Sequence, residues 1–196
     1  MITILDLFSG MKSWSNPFKE NKENNIITVD INPIFEPTYI TNILNWDYKN
    51  TLKNYTIDII FSSPPCNFYF TNIKQLTGIS IFTEKDFILS KKLVDKTIEI
   101  IEYFNPSFYI IENPKGKMRY IYPFIFHKEY KTLSYCMYGA SYKKPTDIWT
   151  NLNINFKQCN HSIHAESIKE NYQAIDRGRI PLDLTILIKN EIYKNL

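Results

Sequence analysis

The chain has 196 residues, 44% hydrophobic and 15% aromatic, a globular composition able to bury a sizeable core. It excludes a disordered chain, and no run approaches the ~20 apolar residues of a membrane-spanning helix. A net charge of +3 says little by itself, but residues 115–144 hold seven bases (Lys115, Lys117, Arg119, Lys128, Lys131, Lys143, Lys144) against one acid, Glu129. Such a segment suits an anionic ligand, nucleic acid included, or an ordinary solvated face.

The first apolar run lacks a preceding basic region and Asp6 interrupts it, so no secretory signal peptide is expected. Cys66, Cys136 and Cys159 are odd in number and far apart. They suggest no disulfide framework, and an intracellular, reducing setting is expected. Nothing resembles a linker or a repeat, so one domain is expected over residues 1–196.

Residues 2–5 predict a first strand, ended by Asp6 and followed by a turn through Gly10. Ser13 or Ser15 is placed to cap a short helix reaching residue 20. Residues 26–29 predict a second strand ending at Asp30. Pro33 and Pro37 mark an irregular connection, 39–41 a third short strand, and 46–54 a short helix. Residues 57–61 are β-branched and aromatic, as in a strand covered on both faces. Pro64 and Pro65 lack the N–H a ladder needs, so the strand stops and Cys66 falls just past its carboxyl end. In an open parallel sheet that edge binds ligands. Cys66 therefore reads as a nucleophile or, equally simply, as an inert buried thiol.

Residues 67–83 read as a loop, and 87–104 carry apolar side chains at helical spacing. Asn105-Pro106 stops that helix. Strands are expected over 107–111, ending in Glu112-Asn113-Pro114, over 132–138, ended by Gly139, and over 146–150. Pro181 opens a last helix to about residue 192. The alternation predicts an α/β fold with a doubly wound, mostly parallel sheet. Asp6, Asp30, Cys66 and Glu112 would share one sheet edge. A carboxylate at Asp30 suits the ribose hydroxyls of an adenosine-type cofactor, and Gly10 alone is no dinucleotide fingerprint.

Taken together, Asp6-Leu7-Phe8-Ser9-Gly10, Ser63-Pro64-Pro65-Cys66, Glu112-Asn113-Pro114-Lys115-Gly116 and Tyr138-Gly139 resemble the DNA cytosine-5 methyltransferases. Ser13-Trp14-Ser15, Val29-Asp30-Ile31, Trp46-Asp47-Tyr48 and the stretch from Lys144 to Asn151 resemble their compact phage and virus-type branch. The resemblance implies a class I, Rossmann-like, S-adenosylmethionine-dependent methyltransferase fold. It also implies methyl transfer to C5 of cytosine in DNA, with the target base flipped out of the helix. Cys66 matches the nucleophile that adds to C6, and Glu112 the carboxyl that holds N3 and the exocyclic amine. Phe8, Ser9, Gly10, Asp30, Ile31, Asn42 and Pro64 match the cofactor side. Asn113, Arg119, Lys143 and Lys144 match the nucleic-acid side.

Departures from the pattern are specific. Lys12 stands where a second glycine is usual, Asn42 where an acid is usual, and Asn67-Phe68-Tyr69-Phe70 where small polar residues follow the cysteine. Lys143 and Lys144 stand near where arginines are usual, and lysine lacks the bidentate fork. Only residues 152–180 separate Asn151 from the last helix, too few for a large target-recognition domain. A second reading is therefore a catalytically inactive relative that binds nucleic acid or a partner protein, and RNA is an alternative substrate. Cys159-Asn160-His161-Ser162-Ile163-His164 could hold a metal with Cys136, but the spacing is not a standard zinc pattern; exposed histidines and a loop cysteine are the simpler reading, and no metal is expected.

Overall fold

Short β-branched runs form the centre of the molecule. β1 (Thr3–Leu7), β2 (Asn25–Asp30), β3 (Tyr39–Ile40), β4 (Ile59–Ser62) and β5 (Phe108–Pro114) run parallel. Beyond them, β6 (Phe124–Ile125) and β7 (Lys128–Glu129) make a small hairpin. β8 (Lys131–Ser134) and β9 (Pro145–Thr150) complete a sheet ordered β3-β2-β1-β4-β5-β9-β8. β9 is antiparallel to both neighbours. The computed structural model describes residues 1–66, 83–161 and 178–196. The Asn67-Phe68-Tyr69-Phe70 stretch, the rest of the expected loop up to residue 82, His164 and Arg177 lie outside the described residues.

Side-chain alternation builds two apolar layers. Leu5, Ile60, Ile111 and Trp149 face one layer with α2 (Glu84–Phe104), whose Val94, Ile100 and Ile101 are buried there. Ile4, Phe61, Ile110 and Ile148 face the other with α4 (Leu182–Asn195). On α4, Leu184, Ile188 and Ile192 recur every fourth residue and are fully buried. Each contributes about 1.5–3 kcal/mol by leaving water. The sheet is thus doubly wound, as the alternation predicts. Thr83 and Asp86 form a capping box that starts α2 three residues earlier than the apolar spacing indicates. Two short helices, α1 (Tyr48–Thr51) and α3 (Met118–Ile121), sit in connections. No described helix is long and apolar enough to cross a membrane.

Three expectations differ from the structure. The helix expected after Ser13 or Ser15 is a run of turns followed by one 3-10 turn, Asn16–Glu20, and Ser15 caps nothing. Its hydroxyl donates instead to buried Asp6, at 2.6 Å. The strand expected over 132–138 stops at Ser134, and Tyr135–Tyr138 form a 3-10 turn closed by Gly139 at φ 90°. The fifth strand does not end before Glu112 but continues through Glu112, Asn113 and Pro114. β9 pairs all three, Glu112 with Ile148, Asn113 with Asp147 and Pro114 with Thr146.

Candidate active site

Register decides which groups share an edge. Leu7 lies beside Val29 and Ser62, and Ser62 lies beside Ile111. The residues that follow each of these strand positions therefore emerge side by side. Asp30, Cys66 and Glu112 all lie along this edge, with the turn after β1 between Asp30 and Cys66.

The turn after β1 is tightly wound. Phe8 and Lys12 take left-handed φ of 55° and 57°, and Gly10 takes 44°. Left-handed backbone costs a residue with a Cβ roughly 1–2 kcal/mol, which explains why a glycine suits position 12. Lys12 holds its conformation through its own N–H, which donates to Ser9 O at 2.6 Å, and its amine, which donates to Glu36 O at 2.8 Å. Asp30 ties the first two turns together: Gly10 N–H donates to Oδ2 and Asn32 N–H to Oδ1, both at 2.9 Å. Next to it Ile31 is 65% exposed, an apolar face open to a flat ring. Ser9 Oγ is buried without a hydrogen-bond partner among the described residues. An orphaned hydroxyl, a carboxylate with free lone pairs and an open apolar side chain fit an adenosine-bearing group. Asn42 spends part of its acceptor capacity on Leu44 N–H, at 3.0 Å.

The Ser-Trp-Ser segment after that turn is structural. Trp14 stacks on Phe61, with centroids 5.5 Å apart and planes 9° apart, and its indole N–H donates to Ser63 Oγ at 3.1 Å. The turn after β1 is thereby fastened to the residue that precedes the Pro-Pro pair. Burial pushes the Asp6 carboxyl up to about 7 against the opposing hydrogen bond from Ser15.

Cys66 is partly exposed at the end of the Pro-Pro turn. Burial pushes its thiol up, the Glu112 carboxylate pushes it further, and the Lys144 ammonium pulls it down. Glu112 is buried on β5. Tyr135 Oη donates to Glu112 Oε1 at 3.0 Å. Lys144 Nζ lies 3.9 Å from the same oxygen and 4.5 Å from the centre of the Tyr135 ring. Burial, then the Glu112 charge, holds the Tyr135 phenol well above its ordinary value, so it stays a donor. Carboxylate, phenol and ammonium thus form one connected group, and the cysteine lies within range of its charges.

Two residues expected on the nucleic-acid side do other work. Asn113 is fully buried, and its amide donates to Pro64 O at 3.0 Å. It therefore positions the Pro-Pro turn, since a side chain with no exposed surface cannot meet a nucleic acid. Arg119 forms a bidentate pair with buried Asp147, with Nε 2.8 Å from Oδ2 and Nη2 against Oδ1. Its Nη2 also donates to Thr132 Oγ1 at 3.0 Å, so its Nε and Nη2 donors are spent inside the fold. Lys143 is exposed, and Lys144 is partly buried at the site. Tyr135 is the member of this group that the sequence reading missed. Its signal was position alone: it is buried like Leu133, two residues before it, and it precedes the Tyr138-Gly139 pair.

Comparison with known proteins gives a consistent answer. The model of the C-5 cytosine-specific DNA methylase family matches residues 2–144. A probable DNA (cytosine-5)-methyltransferase of Frog virus 3 (isolate Goorha) is 31% identical over 157 residues, 76% of this chain and 70% of that protein. Among solved structures, a putative DNA modification methyltransferase encoded within an E. coli prophage aligns with a TM-score of 0.55 at 17% identity. That alignment covers 97% of this chain and 70% of the other, and shows the shared fold.

Proposed function

The chain belongs to the C-5 cytosine-specific DNA methylase family, and on that premise we propose that it methylates C5 of cytosine in DNA with Cys66 as nucleophile. The observation that carries this reading is the geometry of the sheet edge: Ser62 pairs with Ile111, Asn113 holds Pro64 O just before Cys66, and Glu112 accepts from Tyr135 with Lys144 3.9 Å away. S-adenosylmethionine supplies the electrophilic methyl group in this family; Asp30, Ile31, Ser9, Gly10, Phe8, Asn42 and Pro64 are the residues that would hold it here.

Cytosine C5 is a weak nucleophile, so the ring must first gain electrons. The Cys66 thiolate adds to C6 of a flipped base, forming the S–C6 bond and placing electron density on C5. Burial and the Glu112 carboxylate both oppose thiolate formation. Glu112, facing N3 and the exocyclic amine, hydrogen-bonds the base as the density arrives. Tyr135 occupies Oε1, which leaves Oε2 to bond the base. Lys144 favours the thiolate and sits where an anion develops. Once C5 carries the methyl group, passage of the C5 proton to water and departure of Cys66 as thiolate, with the S–C6 bond broken, restore the C5–C6 double bond. Lys143, exposed beside this group, is the phosphate contact on the same hairpin.

The test is transfer of tritium-labelled methyl groups to DNA by wild type, Cys66→Ala and Cys66→Ser. Both variants are expected to lose transfer and to keep cofactor binding by calorimetry. Transfer by Cys66→Ala would remove Cys66 as nucleophile. The second reading, an inactive relative, draws on Lys12, whose side chain spans from the first turn to Glu36 O. Absence of S-adenosylmethionine binding by calorimetry would select that reading. Running the transfer assay on RNA as well as DNA separates the two substrates.

A further inference from the structure

A second cluster of chemically potent side chains lies outside the proposed active site. The segment after β9 folds back on β8. Ser134 N–H donates to Lys157 O at 3.1 Å, Lys157 N–H to Tyr138 Oη at 2.8 Å, and Cys159 N–H to Ser134 Oγ at 3.1 Å. These bonds set residue 159 against the Tyr135–Tyr138 turn. Cys136 and Cys159, distant in the chain, are thereby brought together with His161. One ligand atom from each lies within 4.8 Å of the others. Cys159 Sγ is 3.5 Å from His161 Nδ1.

Those spacings match what one ion requires. A tetrahedral zinc ion with ordinary bond lengths places a sulfur and a nitrogen donor roughly 3.6 Å apart, and two sulfurs roughly 3.8 Å apart. The Cys159–His161 pair already has this spacing, and Cys136 needs to shift by about an ångström at most. Neither cysteine is in a disulfide and both are partly buried, while His161 is exposed, which leaves an entry path from solvent. His161 N–H points at Cys159 Sγ at 3.4 Å, an outer bond of the kind that stabilises a bound thiolate. Two sulfurs and an imidazole are soft donors, which select zinc-like ions over magnesium or calcium.

We propose that Cys136, Cys159 and His161 bind one thiophilic divalent cation of the zinc class, with a fourth position taken by water. The site is a clamp. It joins the segment after β9 to the turn whose first residue, Tyr135, donates to Glu112. It does not depend on the methyl-transfer reading, because none of its ligands belongs to that group.

The experiment uses the full chain, stripped with a chelator and titrated with zinc against a chromophoric competitor. One equivalent is expected to bind. Thiol counting should find three reactive thiols without zinc and one, Cys66, with it. Cobalt in place of zinc should give a thiolate-to-metal charge-transfer band and the visible absorption of a tetrahedral ion. His161→Ala changes an exposed residue, so folding is preserved, and should weaken zinc by at least about 10–100-fold, the range lost when even outer-shell partners are removed. Cys136→Ser and Cys159→Ser should each return a thiol to reactivity and abolish the cobalt band, while Cys66→Ser keeps it. Unchanged zinc affinity in His161→Ala and Cys136→Ser would show adventitious binding only and overturn the proposal. So would a Cys136–Cys159 disulfide, seen as a thiol count of one that rises to three with reductant and ignores zinc.

Discussion

Replacing Arg119 with Met separates a structural arginine from a phosphate-binding one. Methionine keeps an apolar stem under Tyr130, whose ring centre lies 4.6 Å from the Arg119 guanidinium carbon. It removes both donors to Asp147, whose side chain is only 1% exposed. What remains for that carboxylate is the Thr132 hydroxyl, donated to Oδ1 at 2.8 Å. Breaking a buried pair in this way costs about 3–5 kcal/mol, because a charge is left without its partner. For a domain of this length, with about 2–4 °C lost per kcal/mol, the melting temperature should fall by roughly 10 °C. Urea denaturation measures the loss directly, with an unchanged slope as the sign that the same surface is exposed. The double variant Arg119→Met, Asp147→Leu should recover most of the stability, since an apolar replacement of the whole pair is often neutral. The opposite result is equally specific. A loss below about 0.5 kcal/mol, the size of an ordinary surface change, together with a DNA-binding salt slope smaller by about 1, would make Arg119 a phosphate ligand and refute the buried pair.

Asp6 makes stability depend on pH in an unusual direction. Its carboxyl is raised to about 7 in the fold from 3.8, so between these values the unfolded chain ionises while the native chain keeps its proton. Its contribution is complete below the lower value and is lost as pH rises to about 7. Relative to Asp6→Asn, wild type should therefore lose about 2–3 kcal/mol between pH 5 and pH 8, at 1.36 kcal/mol per unit; a difference independent of pH would contradict the burial argument. Alkylation of Cys66, followed by peptide mass spectrometry across pH, should have its midpoint above that of an ordinary thiol. Glu112→Gln should lower that midpoint and Lys144→Met should raise it, and a shift in the reverse sense for either would remove that residue from the group around Cys66. Lys12→Gly should leave urea stability within about 1 kcal/mol, because relief of left-handed strain offsets the added chain entropy. Lys12→Val should cost about 1–2 kcal/mol, since a β-branched side chain fits that φ worst; equal values for the two would mean that the turn relaxes.

The strands of the parallel centre were legible because both their faces are buried, so their apolar runs are continuous in the chain. The edge that carries Asp30, Cys66 and Glu112 followed from where those runs stop. What could not be read was pairing at a distance. The continuation of β5 through Pro114 depends on β9 lying antiparallel beside it, and no local preference signals that. Tyr135 was hidden for the same reason: it was read inside a strand, whereas the chain turns at Ser134 and aims it at Glu112. Asn113 was placed by its motif and Arg119 by its place in a basic stretch. Polar type suggested contact with a ligand, and only burial shows their partners to be Pro64 and Asp147. Spacing alone set a metal at Cys136, Cys159 and His161 aside, because these residues converge only through the fold-back onto β8.

The reversed direction of β9 also bears on how this domain reaches its substrate. Because β8 ends and β9 begins at the same edge, the chain between them is anchored on both sides by sheet pairing at Ser134 and Pro145. Lengthening such an anchored connection is cheap, about 0.6 kcal/mol for each doubling. Residues can therefore be added between Gly139 and Lys143 without moving Glu112 or Cys66. Reach towards a duplex and chemistry at the base become separately adjustable, so a chain this short can change what it touches while keeping the way it reacts.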